Sequence, residues 1–285
     1  MSQKTRISVY TTCTNAIEDE FTLFEGMLQA LRFCDEFVYV DGGSNDGTLD
    51  YMYEFAKKDS RIKVLYNKWD ESLGMKMYGI QRNIALNHCT GDWCFLLDAD
   101  EVYSEAIVSF LQFFPVELEK STGVCFRVRH FYGKHNIYCK REPVLDYDYC
   151  DERVYGFMRK EIIVYVDKED LPIKQDYLHL PYEVFHYTGV KSKEVYLRKI
   201  NKIGKQLQQD WREVKDWDFT DIYEKNREFL KIGICSCVHP SIMRKRISYS
   251  KGASGFVEHC DIVKYYKIEI PRWLSNIGKL KEIKE

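Results

Sequence analysis

The chain has 285 residues, enough for one large domain or one domain with an appendage. Hydrophobic residues make up 45% and charged residues 30%, a globular balance that excludes a disordered chain. The net charge of -2 hides an asymmetry: residues 191–285 hold 21 Lys+Arg against 13 Asp+Glu, whereas residues 1–190 hold 21 against 31. An acidic front half without a recognised motif excludes nucleic acid as an expected partner.

The N-terminal stretch "MSQKTRISVY" carries no apolar leader, and no run approaches the roughly 18 apolar residues of a membrane span. The ten cysteines are scattered, so reduced thiols in a cytoplasmic setting are expected rather than a disulfide framework. Cys235, Cys237 and His239, with His259 and Cys260 further on, could gather on zinc, but their spacing fits no common zinc pattern.

"ISVYTTC" (7–13) reads as a first strand. Ile17, Phe21, Phe24, Leu28 and Leu31 then recur at three and four residues, which predicts a helix. "EFVYV" (36–40) is a second strand ending in the turn cluster "DGGSNDGT" (41–48), and Leu49, Met52, Tyr53 and Ala56 form the next helical stripe. "IKVLYN" (62–67) is a third strand, Met77, Ile80 and Ile84 mark a third helix, and "WCFLL" (93–97) is a fourth strand. This alternation predicts an α/β fold with a mostly parallel sheet flanked by helices.

Further on, "GVCFRVRHFYG" (123–133), "EIIVYV" (161–166) and "YEVFHYTG" (182–189) read as strands of a less regular half. From residue 192 the pattern is helical, through Val195, Leu197, Ile200, Ile203 and Leu207, and "PRWLSNIGKLKEIKE" (271–285) suggests a short basic amphipathic helix. The expected organisation is therefore a domain over 1–190 with a helical basic extension over 191–285. Within the domain, about 1–105 would bind a ligand and 106–190 an acceptor. The extension is either a solvated helical surface or a peripheral contact to an anionic membrane.

Ligands of such sheets bind at the carboxyl ends of the strands. Here those ends carry Thr11, Thr12 and Asn15, then Asp41, Ser44 and Asp46, then Asn67 and Trp69, then Asp98 and Asp100. The fourth strand runs straight into Asp98, Asp100 and Glu101. Such a D-x-D at a strand end is either a solvated exit or a hard-oxygen site for Mg²⁺ or Mn²⁺ that neutralises a diphosphate. "DGGSNDGT" lacks the glycine and lysine spacing of a phosphate loop or dinucleotide fingerprint, which argues against a Rossmann dehydrogenase.

"VYVDGGSNDGT", followed some fifty residues later by "DWCFLLDADE", resembles the family 2 glycosyltransferases of GT-A fold. "QRNIALNHCTGDW" (81–93), "HFYG" (130–133) and "VFHYTGVKSKEVYLRK" (184–199) resemble further segments of that family. The resemblance covers residues 7–199. It implies a GT-A type Rossmann-like fold and metal-dependent transfer of a sugar, with inversion, from a nucleotide-diphosphate donor. A UDP-sugar is the first candidate donor, and the acceptor hydroxyl would belong to a glycan, a lipid-linked molecule or a protein. It assigns Asp41, with Thr12 and Asn15, to the nucleotide, and Arg82 to the diphosphate or donor sugar. Asp98 and Asp100 go to ribose and metal, His186 to the metal shell, and Mn²⁺ or Mg²⁺ is the implied cofactor. Gly42 departs from the family's usual second aspartate. No clean base motif follows the D-x-D, leaving Asp151, Glu152 and Asp167 as alternatives. Rival readings are a nucleotidyltransferase and a catalytically inactive nucleotide-sugar or glycan-binding module. The first strand lacks the basic glycine-rich loop the former needs; the intact acid pair speaks against the latter.

Overall fold

Four strands lie side by side in parallel: β1 (Ile7–Cys13), β2 (Glu36–Asp41), β3 (Ile62–Tyr66) and β4 (Trp93–Leu96), in the order β4-β1-β2-β3. The computed structural model describes residues 5–74, 76–113, 121–140, 152–158, 177–207, 212–216, 231–234, 238–249 and 258–277. Helices α1 (Leu23–Ala30), α2 (Thr48–Lys58) and α3 (Lys76–Asn87) connect the four strands. Side chains alternate across a strand, so both faces of these strands must be covered. Val9, Phe37, Tyr39, Trp93 and Phe95 pack into one core with α1 and α2. Tyr10, Val38, Val40, Cys94 and Leu96 point the other way, toward Ala85 and Leu86 of α3.

The first helix is shorter than its apolar spacing predicts. Asn15 and Glu20 have φ of 52° and 54°, left-handed values that an α-helix cannot contain. Residues 16–20 form turns instead, closed by Asp19 N–H to the Asn15 carbonyl at 2.8 Å and Phe21 N–H to the Ala16 carbonyl at 2.8 Å. Ile17 and Phe21 still pack on the core, which explains the helical periodicity.

The other half is largely antiparallel. After β5 (Glu101–Tyr103) and α4 (Glu105–Gln112) come β6 (Gly123–Tyr132), β7 (Lys134–Lys140), β8 (Glu152–Met158) and β9 (Tyr177–Gly189). Antiparallel pairing of β8 with β4 joins the halves into one sheet among the described residues, ordered β7-β6-β8-β4-β1-β2-β3 up to this point of the chain. β9 runs parallel to β6 and antiparallel to β5. The expected strand over 161–166 lies outside the described residues.

After β9 the chain forms α5 (Lys193–Leu207), as its spacing predicts. The tail is not wholly helical: β10 (Lys231–Ile234) adds to the sheet edge beside β7. Then come α6 (Met243–Tyr249) and α7 (His259–Asn276). The helix expected to begin at Pro271 begins at His259 and carries Pro271 inside it, because Ile262, Tyr265, Tyr266 and Ile270 give it a buried stripe upstream of the proline. That stripe joins the same core as Phe24, whose ring stands 5.5 Å from Tyr266.

Candidate functional site

A cavity of about 340 Å³ opens at the carboxyl ends of β1 and β4. Its first wall is the chain leaving β1. The Thr12 hydroxyl donates to the Val40 carbonyl at 3.1 Å, tying β1 to β2. Asn15 N–H donates to Ser44 Oγ at 2.8 Å, and Asn15 Oδ1 accepts from Asn45 N–H at 2.8 Å. Asp46 Oδ2 accepts from Ile17 and Glu18 N–H at 2.9 and 2.8 Å, while its Oδ1 accepts from Thr48 N–H at the start of α2. The polar 41–48 cluster is thus the scaffold of the neighbouring loop. Thr12 and Asn15 line the cavity as expected.

Asp41 does not reach it. Its side chain is fully buried, and both oxygens are occupied: Oδ1 by Gly43 and Ser44 N–H at 2.8 and 2.7 Å, Oδ2 by the Tyr39 and Ser44 hydroxyls at 2.7 Å each. A carboxylate with four internal donors has little left for a ligand. In this structure Asp41 shapes the loop and is not among the residues that line the cavity. Gly42 beside it has no room for a side chain, since a Cβ there would stand 2.0 Å from Thr14 Oγ1.

The acidic run at the end of β4 divides three ways. It is a turn rather than extended chain, closed by Glu101 N–H to the Asp98 carbonyl at 3.0 Å. Glu101 is fully buried and folds back, accepting Asp98 N–H at 3.0 Å. Asp98 faces Arg82 on α3, whose guanidinium donates at 2.6 Å. Asp100 faces His186, Oδ1 to Nε2 at 3.2 Å, and Lys199, Oδ2 to Nζ at 3.1 Å. Sheet register brings His186 there, because β5 pairs Glu101 with His186 and β6 pairs His130 with it. The His130 and His186 Nδ1 atoms lie 2.6 Å apart, so one ring donates to the other. Burial alone would raise the Asp100 pKa, but Lys199 and His186 outweigh it and hold the carboxyl well below its usual range. Burial pushes the His186 imidazole down, against the pull of Asp100, which favours the neutral ring.

The opposite wall is α5 and the turn before it: Lys191, Val195, Arg198, Lys199, Lys202 and Ile203. Sequence reasoning assigned this segment to a solvated or membrane-facing surface. Only the resemblance of 184–199 could have drawn it to the site, because charge counting does not say what a helix face meets. Arg198 donates to Asp19 Oδ1 at 2.7 Å and to Glu18 Oε1 at 3.2 Å. Lys191 is fully buried, donates to the Asp19 carbonyl and sits 4.0 Å from the Phe21 ring centre. Burial, helped by Lys199, pushes its pKa down to about 7. Trp69 and Tyr78, packed edge to face at 4.5 Å, complete the lining. Trp69 Nε1 and Thr14 Oγ1, both on this lining, are buried without a hydrogen-bond partner among the described residues.

Residues 23–193 match the family model "Glycosyl transferase family 2". The chain belongs to the family 2 glycosyltransferases. One relative of this glycosyltransferase is the lipopolysaccharide core biosynthesis glycosyltransferase LpsC of Rhizobium meliloti. It is 31% identical over 111 residues, covering 39% of this chain and 37% of that protein. An uncharacterized glycosyltransferase of Haemophilus influenzae is 25% identical over 134 residues, covering 42% and 38%. The chain therefore aligns with less than two fifths of the length of these relatives. Among solved structures, S. aureus TarS 1-349 in complex with UDP is similar at TM-score 0.42 and 16% identity, over 73% of this chain and 67% of that one. The mannosyltransferase PcManGT of Pyrobaculum calidifontis, in complex with GDP-Man and Mn2+, is similar at 0.43 and 14%, over 98% and 74%.

Asp100 and His186 are the pair whose spacing would admit a divalent ion, a spacing that a hydrogen-bonded pair also shows. Ligands about 2.1 Å from one ion in neighbouring octahedral positions stand about 3.0 Å apart, close to the 3.2 Å between Asp100 Oδ1 and His186 Nε2. Asp98 is turned to Arg82 instead, and no group of three His, Cys, Asp or Glu side chains converges on one point among the described residues. Of the base candidates, Asp151 and Asp167 lie outside the described residues. Glu152 begins β8; because β8 runs antiparallel to β4, that end of the strand extends toward the D-x-D edge. Of the residues of the zinc reading, His259 faces Glu20 through Nδ1 at 2.7 Å, and Cys260 is exposed. Cys235 and Cys237 lie outside the described residues. Cys13, Cys34, Cys89, Cys94 and Cys125 are buried and form no disulfide.

Proposed function

We propose that the cavity takes a nucleotide-diphosphate sugar, with a UDP-sugar as first candidate, and that the enzyme transfers the sugar with inversion to an acceptor hydroxyl. The observation that carries this reading is the convergence of Asp98 and Asp100 with Arg82, Lys191, Arg198 and Lys199 around one cavity at the carboxyl edge of the parallel strands. A diphosphate is the ligand that suits a site holding both cations and a hard-oxygen pair. The unpartnered Trp69 Nε1 and Thr14 Oγ1 support a polar ligand on the same wall.

In this reading Thr12 and Asn15 border the nucleoside, and Arg82 reaches the diphosphate while holding Asp98. Asp100 and His186 would hold Mn²⁺ or Mg²⁺, which supplies charge neutralisation of the leaving diphosphate. A carboxylate takes the acceptor's proton as its oxygen attacks the anomeric carbon in a single displacement. Glu152 is the candidate with the best-supported location; Asp151 and Asp167 remain alternatives. The acceptor is a glycan, a lipid-linked molecule or a protein. Peripheral membrane contact through the basic extension stays part of the proposal, although three of its cations, Lys191, Arg198 and Lys199, line the cavity.

Isothermal titration with UDP and GDP, each in Mn²⁺ and in EDTA, followed by a donor screen for nucleotide release, tests the reading. Binding that is at least tenfold tighter with metal is expected, as is loss of turnover in a folded Asp100→Asn protein. Full turnover of Asp100→Asn in EDTA would remove the metal role. Absence of any nucleotide binding would favour the glycan-binding module.

A further inference from the structure

Asp100 carries two different partners on its two oxygens. His186 meets Oδ1, in the position a co-ligand of a metal would take. Lys199 meets Oδ2, in the position of a competing cation. We propose that Lys199 is an exchangeable counter-ion: its ammonium neutralises Asp100 while the cavity is empty and moves to the donor's diphosphate when a divalent ion takes the carboxylate. This rests on the donor reading above.

Three observations separate Lys199 from the other cations of the cavity. Arg82 is a planar, permanently charged fork, nearly buried and held on Asp98, and is thus a fixed element. Lys191 is fully enclosed, anchored on the Asp19 carbonyl and the Phe21 ring. Lys199 is 26% exposed in its side chain, also donates to the Thr188 hydroxyl, and lies farther from the Phe21 ring centre, at 5.6 Å. A four-carbon stem lets such an ammonium swing by several ångströms while α5 stays in place. A buried carboxylate without a cation is costly, so Asp100 needs Lys199 when no metal is present. A divalent ion and an ammonium on one carboxylate repel each other, and the incoming diphosphate offers the displaced ammonium a second anion within the same cavity. The exchange keeps Asp100 neutralised at each stage without exposing it to water. It also predicts that metal and diphosphate bind together more favourably than either alone.

If Lys199 competes with the metal and attracts the diphosphate, removing it must change the two affinities in opposite directions. Manganese titration by electron paramagnetic resonance without nucleotide, and calorimetric titration of UDP and GDP at saturating Mn²⁺, read the two directions separately. Lys199→Met is expected to bind Mn²⁺ about tenfold more tightly than the unmutated enzyme and the diphosphates about tenfold more weakly. Lys199→Gln should behave alike, and Lys199→Arg should keep the weak manganese binding; thermal melts confirm that each variant is folded. Unchanged manganese affinity in both neutral variants would overturn the competition. Tighter manganese binding with unaltered diphosphate affinity would overturn the transfer to the donor. If no protein binds either diphosphate while manganese behaves as expected, the donor reading has failed and the exchange onto a diphosphate falls with it. The Lys199 competition at Asp100 would still stand as measured.

Discussion

A Cβ on Gly42 would lie 2.0 Å from Thr14 Oγ1 and 3.4 Å from the Cys13 carbonyl. A side chain at this position, including the aspartate usual in the family, therefore forces Thr14 out of the cavity wall it lines. Gly42→Asp is expected to lower donor affinity by roughly tenfold through that displacement, a test best read by calorimetry beside a melting curve. Affinity equal to the unmutated enzyme would mean that Thr14 has no contact to lose. Lys191 makes a second prediction at this scale. Its neighbours are Lys199, which opposes its charge, and Asp100, Glu20 and Asp19, which favour it; burial dominates and leaves its pKa at about 7. Folding thus depresses the value, so burial of the ammonium costs stability below about pH 7, and that cost is relieved as pH rises toward the ordinary lysine range. Donor affinity should move the other way, since an anionic diphosphate prefers the ammonium. A nucleotide sugar, whose bridging diphosphate keeps its charge, is expected to bind several-fold more weakly at about pH 8.5 than at about pH 6.5. Lys191→Met should be weak and flat over the same range, and a flat unmutated profile would contradict the role. Lys191 could not be anticipated from sequence, since a lysine after a glycine-bearing strand end reads as surface. Asp98, Asp100 and Arg82 could, because strand ends and a family-like segment located them.

At the scale of elements, the parallel half was legible because β1, β2 and β4 are buried on both faces and form unbroken apolar runs, with only the edge strand β3 partly exposed. The antiparallel half was legible only in β6 and β9: β5 is three residues long, and β7, "KHNIYCK", has too little apolar alternation to mark it. The first helix was overextended for a reason periodicity cannot express, the left-handed backbone at Asn15 and Glu20. Glu20 has a further duty. Its carboxylate is buried, accepts Ser192 N–H at 2.6 Å through Oε2 and faces His259 Nδ1 at 2.7 Å through Oε1. It links the turn before α1, the start of α5 and the start of α7. Glu20→Ala leaves a buried N–H unpaired and keeps a left-handed φ on a residue with a Cβ, so a loss of about 2–4 kcal/mol is expected in urea unfolding. Glu20→Gly loses the same acceptors but relieves the backbone, and should cost about 1 kcal/mol less than alanine. A larger loss for glycine than for alanine would show that the backbone strain is not what the left-handed angle indicates.

At the scale of the whole molecule, part of the charge asymmetry in the sequence is met internally among the described residues. The acidic edge of 1–190 meets cations of 191–285 through Arg198 with Glu18 and Asp19, Lys199 with Asp100, and Arg246 with Glu25. None of the helices described is long and apolar enough to cross a membrane. The extension also shares the core: Ile262, Tyr265, Tyr266 and Ile270 of α7 are buried, and Tyr266 stacks edge-on against Phe24 of α1. Full burial of each such side chain contributes about 1.5–3 kcal/mol, so α7 contributes a large part of a typical domain's stability. Arg246 and Glu25 lie beneath it, 3.1 Å apart and almost fully buried. Removing residues 258–285 would open this pair to water and strip the cover from Phe24. The truncated chain is expected to lose the cooperative melt of the intact protein, and with it nucleotide binding, because the Glu20 link to α5 loses its His259 arm. In a chain truncated at residue 257, calorimetric unfolding with an unchanged midpoint and enthalpy would show instead that residues 1–257 fold independently and that residues 258–285 are an appendage.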